Sequence, residues 1–180
     1  MRIVVPLIAI TFLAVGCGDD DDGAGEPATG VEESITVTSS AFQNDQAIPK
    51  VYSCDGDNVS PPLAWHHLSA DADRLALVVD DPDASGGTFV HWIVVDFPST
   101  TTSVSEGGVP SGGVQAANSA GDATYTGPCP PDGTHHYRFT VYALNAPTGL
   151  DEGATTDDAL AAIDEHALAS GRLTGTYSRG

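Results

Sequence analysis

Two nearly continuous apolar runs constrain the fold of this chain more than any other feature of its sequence. They read RLALVVD (74–80) and HWIVVDF (91–97), and the loop DPDASGGTF connects them. Short runs rich in valine, isoleucine and aromatic residues, bounded by Asp, Gly and Pro, are typical of β-strands. Because polar residues do not alternate with the apolar ones, both faces of each strand should be covered. The runs therefore predict two neighbouring strands at the centre of a sheet.

The rest of the chain adds further strands and one helix. Strand-like composition recurs in three segments, at 34–38, 137–144 and 173–177. Between residues 156 and 170, apolar residues recur at helical spacing, at Leu160, Ile163, Ala167 and Leu168. Thr156 is predicted to be the N-cap of this helix and Gly171 its stop. The pattern alone predicts a mainly β protein, a β-sandwich with a late helix.

The first seventeen residues, MRIVVPLIAITFLAVGC, are typical of an export signal. One basic residue precedes an apolar run that is too short to span a bilayer comfortably. Leu13 to Cys17 resemble a bacterial lipobox, in which the cysteine becomes the lipidated first residue, although Ala14 stands where the pattern usually has leucine. An ordinary signal peptide cleaved nearby is the alternative. Either interpretation predicts export, and the lipobox predicts a signal peptide (1–16) with Cys17 anchored in a membrane of the cell envelope.

Residues 17–33 are predicted to be an acidic, disordered tether, because they include no aromatic or basic residue. The remaining residues, 34–180, are enough for one domain with a real core. That domain has 18 Asp and Glu against five Lys and Arg, a charge near -13. Such a charge argues against nucleic acid, whose phosphates would be repelled, and against docking flat on an anionic lipid surface.

The cysteine count predicts one disulfide. With Cys17 at the predicted anchor, Cys54 and Cys129 remain as a pair in an oxidising compartment. Two buried free thiols are the alternative.

Four sequence blocks together resemble one known family. They read VYSCDGDNVSPPLAWHHL (51–68), LVVDDPDASGGTFVHWIVVDFP (77–98), YTGPCPPDGTHHYRFTVYAL (125–144) and EHALASGRLTGTYSR (165–179). In this order they look like the phosphatidylethanolamine-binding protein (PEBP) family, in the bacterial branch often called Raf-kinase-inhibitor-like. The resemblance covers nearly all of the chain after the tether. It implies an antiparallel β-sandwich of PEBP type, with a small anion-binding pocket and one or two short helices near the C-terminus.

The resemblance also implies which residues form the pocket. Carried over by position, they are Asp81, Asp83 and His91 from the block 77–98, and Gly127, Pro130, His135 and Tyr137 from the block 125–144. In relatives, such a pocket takes phosphate-like or carboxylate-like groups, including phospholipid head groups. The expected partner is a small anionic or zwitterionic ligand, with no metal ion and no cofactor.

These residue types suit an anion. Imidazole N–H groups, a phenol and loop amides can donate hydrogen bonds without carrying a fixed full charge. A bound phosphate raises the pKa of a histidine, and the acidic domain and Asp81 should raise it as well. Asp81 or Asp83 is expected to accept from one ring nitrogen and so aim the other at the ligand. Alternatively, the aspartate accepts from an amine such as ethanolamine, or is itself protonated.

One position departs from the family pattern. His136 stands where the family usually has arginine, and an arginine follows two places later as Arg138. Strand alternation puts Arg138 and His136 on the same face. If Asp83 is the usual partner of the family's arginine, that carboxylate should be paired differently here.

The sequence favours a small-ligand binding protein of the cell envelope over two other classes. An inhibitor of an envelope protease, or of another protein partner, is the alternative. A hydrolase is less favoured, because the chain has no G-x-S-x-G or H-E-x-x-H motif and no nucleophile beside the histidines. The chain is therefore not expected to be an enzyme.

Overall fold

The computed structural model describes residues 31–179. The predicted signal peptide, Cys17 and most of the predicted tether lie outside these residues. Glu32–Glu33, assigned above to the end of the tether, form a short strand that pairs with the last strand of the domain. In the described range, no helix is long and apolar enough to cross a membrane.

The described residues form ten strands, one short 3-10 helix (Lys50–Tyr52) and one α-helix. The strands are β1 (Glu32–Glu33), β2 (Thr36–Thr38), β3 (Gln46–Ala47), β4 (Leu63–His66), β5 (Arg74–Asp81), β6 (Phe89–Pro98), β7 (Ser103–Val104), β8 (Val114–Ala116), β9 (Thr134–Leu144) and β10 (Ala167–Ser178). The helix α1 (Thr156–His166) lies between β9 and β10. The five predicted strand segments are confirmed, and β1, β3, β4, β7 and β8 are additions to them.

The strands form two sheets. The larger has the order β1-β10-β9-β5-β6-β8, with β3 also pairing with β10, and the smaller has the order β2-β4-β7. The pairs among β5, β6, β8, β9 and β10 are antiparallel, as expected. The larger sheet is nevertheless mixed, because β1 and β3 run parallel to β10. The mainly β sandwich is confirmed, and its parallel strand pairs within residues 31–179 are those that β1 and β3 form with β10.

Two apolar cores explain why the central strands show no alternation. One core lies between the sheets and includes Trp65 of β4, Trp92 of β6 and Phe139 of β9. The other lies on the outer face of the larger sheet, where Ile163 of α1 packs with Val78 of β5. Both faces of β5 and β6 are therefore covered, as the apolar runs predict.

The helix ends four residues earlier than its spacing predicts. Thr155, and not Thr156, is the N-cap, and its hydroxyl accepts from the backbone N–H of Asp158 at 3.1 Å. Residues 167–170 begin β10, where they pair with β9 and β1. Gly171 is not a helix stop: it lies within β10, and a Cβ there would meet the carbonyl oxygen of Ile35 at 1.8 Å. The sheet contacts outweigh the weak helical preference of this segment.

Candidate ligand-binding site

A cavity of about 220 Å³ lies at one end of the larger sheet. Asp81 at the end of β5, His91 near the start of β6 and His135 near the start of β9 line it together. These strands are antiparallel neighbours, so the end of one lies beside the beginnings of the others. Residues of the loop 126–131 form the opposite wall. The sheet topology thus brings one carboxylate and two imidazoles from distant parts of the sequence into one small space.

Asp81 orients His135. The Nδ1–H of His135 donates to Asp81 Oδ2 across 2.8 Å, and the backbone N–H of Asp83 donates to Asp81 Oδ1 across 2.9 Å. Both carboxylate oxygens are therefore engaged, and Asp81 is only 4 % exposed. A ring held through Nδ1 has one orientation, with Nε2 as its remaining polar atom. This geometry matches the orienting part expected of the aspartate.

His91 is held in the same tautomer by a different partner. Its Nδ1–H donates to the carbonyl oxygen of Thr126 across 2.7 Å, and a carbonyl oxygen can only accept. The ring of Phe89 meets it edge-on, with the centroids 4.8 Å apart. Burial lowers the pKa of His91 below its usual value, and the Thr126 hydrogen bond and the Asp81 charge oppose that shift only in part. The expectation of a raised histidine pKa is therefore wrong for His91, because desolvation outweighs the nearby carboxylates.

The two fixed tautomers decide what the cavity can hold. Since both Nδ1 atoms donate to the protein, Nε2 of each neutral ring carries a lone pair and accepts hydrogen bonds. A fully deprotonated anion would meet lone pairs there. The cavity suits an anion only if the ligand donates its own proton or a ring becomes protonated.

Tyr137 lies behind the two histidines. Its ring centroid is 5.3 Å from that of His91 and 6.5 Å from that of His135. The hydroxyl is fully buried, and no described residue meets it at hydrogen-bond geometry. Burial raises the pKa of this phenol, and the charge of the nearby Asp81 adds to the shift. The phenol therefore stays protonated, with Asp81 and the backbone of Cys129 as its polar neighbours.

Gly127 serves the loop backbone. A Cβ at this position would lie 2.4 Å from the carbonyl oxygen of Tyr52, so only glycine allows the approach. Its N–H donates to Asn58 Oδ1 across 2.8 Å. This amide is already used within the protein and is not one of the loop donors expected for an anion.

The predicted disulfide between Cys54 and Cys129 is present, with the Cα atoms 5.5 Å apart. Beside it, the N–H of Cys54 donates to the carbonyl oxygen of Pro128 across 3.1 Å. Cys129 itself lines the cavity. The disulfide thus fixes the cavity wall to the segment that follows the 3-10 helix.

Asp83 lies outside the cavity and has the different partner that its sequence context predicts. It accepts from the backbone N–H of His136 at 2.8 Å and from its Nδ1–H at 2.7 Å. These contacts lower the pKa of the Asp83 carboxyl, with the His136 ring hydrogen bond as the largest cause. Arg138 pairs instead with Asp80 on the outer face of the sheet. Arg138 is thus no substitute for an arginine at position 136.

Five of the seven predicted site residues line the cavity: Asp81, His91, Gly127, Pro130 and His135. Tyr137 lies behind them and Asp83 outside. Sequence reasoning missed Phe89 and Thr126. Thr126 acts through its backbone carbonyl, which leaves no signal in a side-chain pattern. Phe89 stands two residues before His91, so strand alternation places both side chains on one face and could have identified it. In residues 31–179, no three His, Cys, Asp or Glu side chains are grouped to hold a metal ion.

Comparison with known proteins gives relatives over most of the chain. The family model described as "Phosphatidylethanolamine-binding protein" matches residues 38–178. The "Putative lipoprotein LppC" of Mycobacterium tuberculosis is 48% identical over 147 residues, which cover 81% of this chain and 73% of that protein. A "UPF0098 protein" of Methanothermobacter thermautotrophicus is 40% identical over 151 residues, covering 81% of this chain and all of that protein.

Two solved structures have the same fold. The "Putative PhosphatidylEthanolamine-Binding Protein (PEBP) Homolog CT736" from Chlamydia trachomatis superposes with a TM-score of 0.77 at 38% identity, covering 83% of this chain and 100% of that one. YbcL of E. coli, described as a member of the mammalian PEBP family, also has a TM-score of 0.77, at 29% identity, covering 82% of this chain and 99% of the other. Sequence and structure agree: the chain belongs to the phosphatidylethanolamine-binding protein family.

Proposed function

We propose that this protein holds a small phosphate-, carboxylate- or phospholipid-head-group-like anion in the cavity lined by Asp81, His91 and His135. The observation that carries the proposal is the pair of fixed imidazoles: each Nδ1–H is bound to the protein, at 2.8 Å and 2.7 Å. Each ring therefore offers Nε2 to a ligand in a single orientation. The protein's family, whose members are generally binding proteins, supports binding as its function.

The size of the cavity limits the ligand. Pockets for drug-sized molecules start at roughly 300 Å³, and this one has about 220 Å³. A phosphate, a small carboxylate or the head group of a lipid is small enough to fit. Acyl chains would have to remain outside.

The need for a proton at Nε2 of the histidines further limits the range of possible ligands. A monoprotonated phosphate brings an O–H that a neutral Nε2 can accept, and a protonated ring can donate to its other oxygens. The Tyr137 ring lies close to both imidazoles, and its phenol stays protonated and so remains a hydrogen-bond donor. We therefore expect binding to be coupled to proton uptake.

Binding is favoured over catalysis for a specific reason. Ser85 and Thr126 carry the hydroxyls on the cavity wall, and in the described range no hydrogen bond joins either hydroxyl to a histidine. Cys129 is in a disulfide and is not a free nucleophile. An activated nucleophile needs a base within hydrogen-bond reach, and none of these three residues meets this requirement.

A matched pair of substitutions tests the proposal. His135 and His136 are neighbours on β9, and each donates Nδ1–H to an aspartate of the DPD loop, but only His135 lines the cavity. Isothermal titration with inorganic phosphate should show about a tenfold or larger loss of affinity for His135→Asn. His136→Asn should stay within about twofold of the parent. Equal losses in both variants, or none in His135→Asn, would contradict the proposal.

We also propose that Cys17 anchors the protein to a membrane of the cell envelope. The support is the lipobox-like stretch before Cys17 and the relative named as a lipoprotein. The acidic tether would then hold the binding domain away from the lipid surface.

A further inference from the structure

A second cavity lies next to the histidine cavity. Its volume is about 710 Å³, and Pro131 lines both spaces. Its walls come from the region of the 3-10 helix and from the ends of β9 and β10. The candidate anion site therefore shares the wall residue Pro131 with a larger groove, called here the Lys50–Arg179 groove after its two basic residues.

The groove concentrates positive charge on an acidic protein. Residues 31–179 contain twenty Asp and Glu but only five Lys and Arg. Two of the five basic residues line this groove, together with a single acidic one, Asp55. Of the other three, Arg74 pairs with Asp73, Arg138 with Asp80, and Arg172 donates to Thr140.

The acidic residue of the groove is already engaged. Asp55 accepts from the hydroxyl of Tyr177 at 2.9 Å and lies 3.3 Å from Arg179. The Tyr177 hydrogen bond is the largest cause that lowers the pKa of Asp55, and Arg179 and Lys50 contribute. Lys50 forms no ion pair with any residue that the structure describes. Because Asp55 offsets one of the two cations, the groove has a net charge of one positive unit.

Hydroxyl groups complete the lining. Thr134 and Ser178 are paired across β9 and β10, and Thr176 lies two residues before Ser178 on the same face. Hydroxyls can donate to the oxygens of an anion that Lys50 and Arg179 attract. The groove thus has both the charge and the donors that a carboxylate or a phosphate needs.

We propose that the Lys50–Arg179 groove binds a second anionic group of the same ligand whose first group occupies the histidine cavity. The ligand class is a phosphate with a carboxylate or second phosphate a few bonds away. This inference rests on the proposed function, since it takes the histidine cavity as the site of the first phosphate. The proposal predicts that a ligand with two anionic groups binds more tightly than a ligand with one. The net charge of the domain alone would predict the opposite, because the acidic domain repels each added negative charge.

Two probes differing at one carbon test the preference. 3-Phosphoglycerate and glycerol 3-phosphate share the phosphate ester, and a carboxylate in the first replaces a hydroxymethyl group in the second. Titration calorimetry at about pH 6 should show 3-phosphoglycerate binding about threefold to tenfold more tightly. Equal affinity, or tighter binding of glycerol 3-phosphate, would overturn the proposal.

Substitutions then locate the effect. Lys50→Gln and Arg179→Gln should each reduce the preference for 3-phosphoglycerate and leave inorganic phosphate within about twofold. Arg74→Gln, which removes the same charge from an exposed residue outside the groove, should keep the preference. A preference that survives Lys50→Gln and Arg179→Gln, or that falls equally in Arg74→Gln, would overturn the assignment to the groove.

The same series separates this inference from the function on which it rests. If His135→Asn does not weaken the binding of inorganic phosphate, the proposed function is wrong, whatever the result for the groove. If His135→Asn does weaken phosphate binding but the two probes bind equally to the parent protein, only the groove proposal is wrong. A short-chain phosphatidylserine supplies the same phosphate and carboxylate as a lipid head group; tighter binding than 3-phosphoglycerate would identify a lipid source, and weaker binding a free phosphate ester.

Discussion

Arg138 and Asp80 lie opposite each other on β9 and β5 and form a two-pronged ion pair, with Nε 2.8 Å and Nη2 2.6 Å from the carboxylate oxygens. The Asp80 side chain is only 2 % exposed, whereas that of Arg138 is 20 % exposed. Asp80 directly precedes Asp81, whose side chain points to the other face of the sheet. The ion pair thus fixes the end of β5 from behind while Asp81 orients His135 in front.

Removing Arg138 should destabilise the fold. Arg138→Gln leaves a buried, uncompensated carboxylate at Asp80, which should lower the free energy of unfolding by about 3 kcal/mol. Urea denaturation followed by tryptophan fluorescence would measure the change. The matched control is Arg74→Gln, because its exposed pair with Asp73 should contribute less than about 1 kcal/mol. Equal effects in the two variants would show that the Asp80–Arg138 pair has no special role.

Asp81→Asn should weaken phosphate binding although it removes a negative charge. The amide cannot accept from both the His135 ring and the Asp83 amide as the carboxylate does, so the ring loses its fixed orientation. The expected loss is about tenfold, one oriented hydrogen bond. Asp83→Asn removes the same charge outside the cavity and should leave affinity unchanged or slightly higher. Tighter phosphate binding by Asp81→Asn in calorimetry would show that the carboxylate acts only by repulsion.

Binding of a non-titrating anion should weaken as pH rises. Burial lowers the pKa of free His91, and a bound anion must raise it, so binding takes up a proton between those two values. Within that window, sulfate affinity should fall by up to about tenfold per pH unit for one proton. Calorimetry in buffers of different ionisation enthalpy would count the protons directly. Affinity that is constant across this range would contradict coupling to His91.

Loss of the disulfide should weaken both the fold and the site. The bridge closes a loop of 75 residues, which is worth about 4 kcal/mol in the chain-entropy model. Because Cys129 lines the cavity, replacing Cys54 and Cys129 by serine should also weaken phosphate binding. Thermal unfolding and calorimetry would measure the two effects. Before that, two reactive thiols besides Cys17 in the denatured, unreduced protein would show that the bridge does not form.

Membrane attachment should depend on Cys17. Cys17→Ser removes the lipidation site, so the protein should either leave the membrane fraction or accumulate as an uncleaved precursor. Cell fractionation with immunoblotting separates these outcomes from the parent's behaviour. Normal processing together with unchanged membrane partition would rule out the lipid anchor.

The strands were predictable where burial alone decides them. The apolar runs of β5 and β6 are covered on both faces, so composition and burial agree. Residues 167–170 gave the opposite result. The spacing of Ala167 and Leu168 fits the helix, whereas the pairing of this segment with β9 and β1 depends on distant parts of the chain. Partners contributed by distant segments leave no periodicity in a single sequence.

The side chains of the candidate site could be predicted from the sequence, whereas the backbone contacts of the site could not. The resemblance identified Asp81, His91 and His135, and the structure places all three on one cavity. The Thr126 carbonyl that fixes the His91 tautomer, and the burial that lowers the pKa of His91, follow from the packing of the loop 126–131. A titration property of this kind depends on the folded environment more than on residue type.

The parallel pairing of β3 with β10 has a consequence for how the chain becomes folded. Gln46 pairs with Gly175, about 130 residues further along, and β1 pairs with the same late strand. β1 and β3 therefore gain their strand partner only when almost the whole domain has been synthesised. The larger sheet thus cannot close while the C-terminal strand is still being made, because β10 is the partner of β1, β3 and β9.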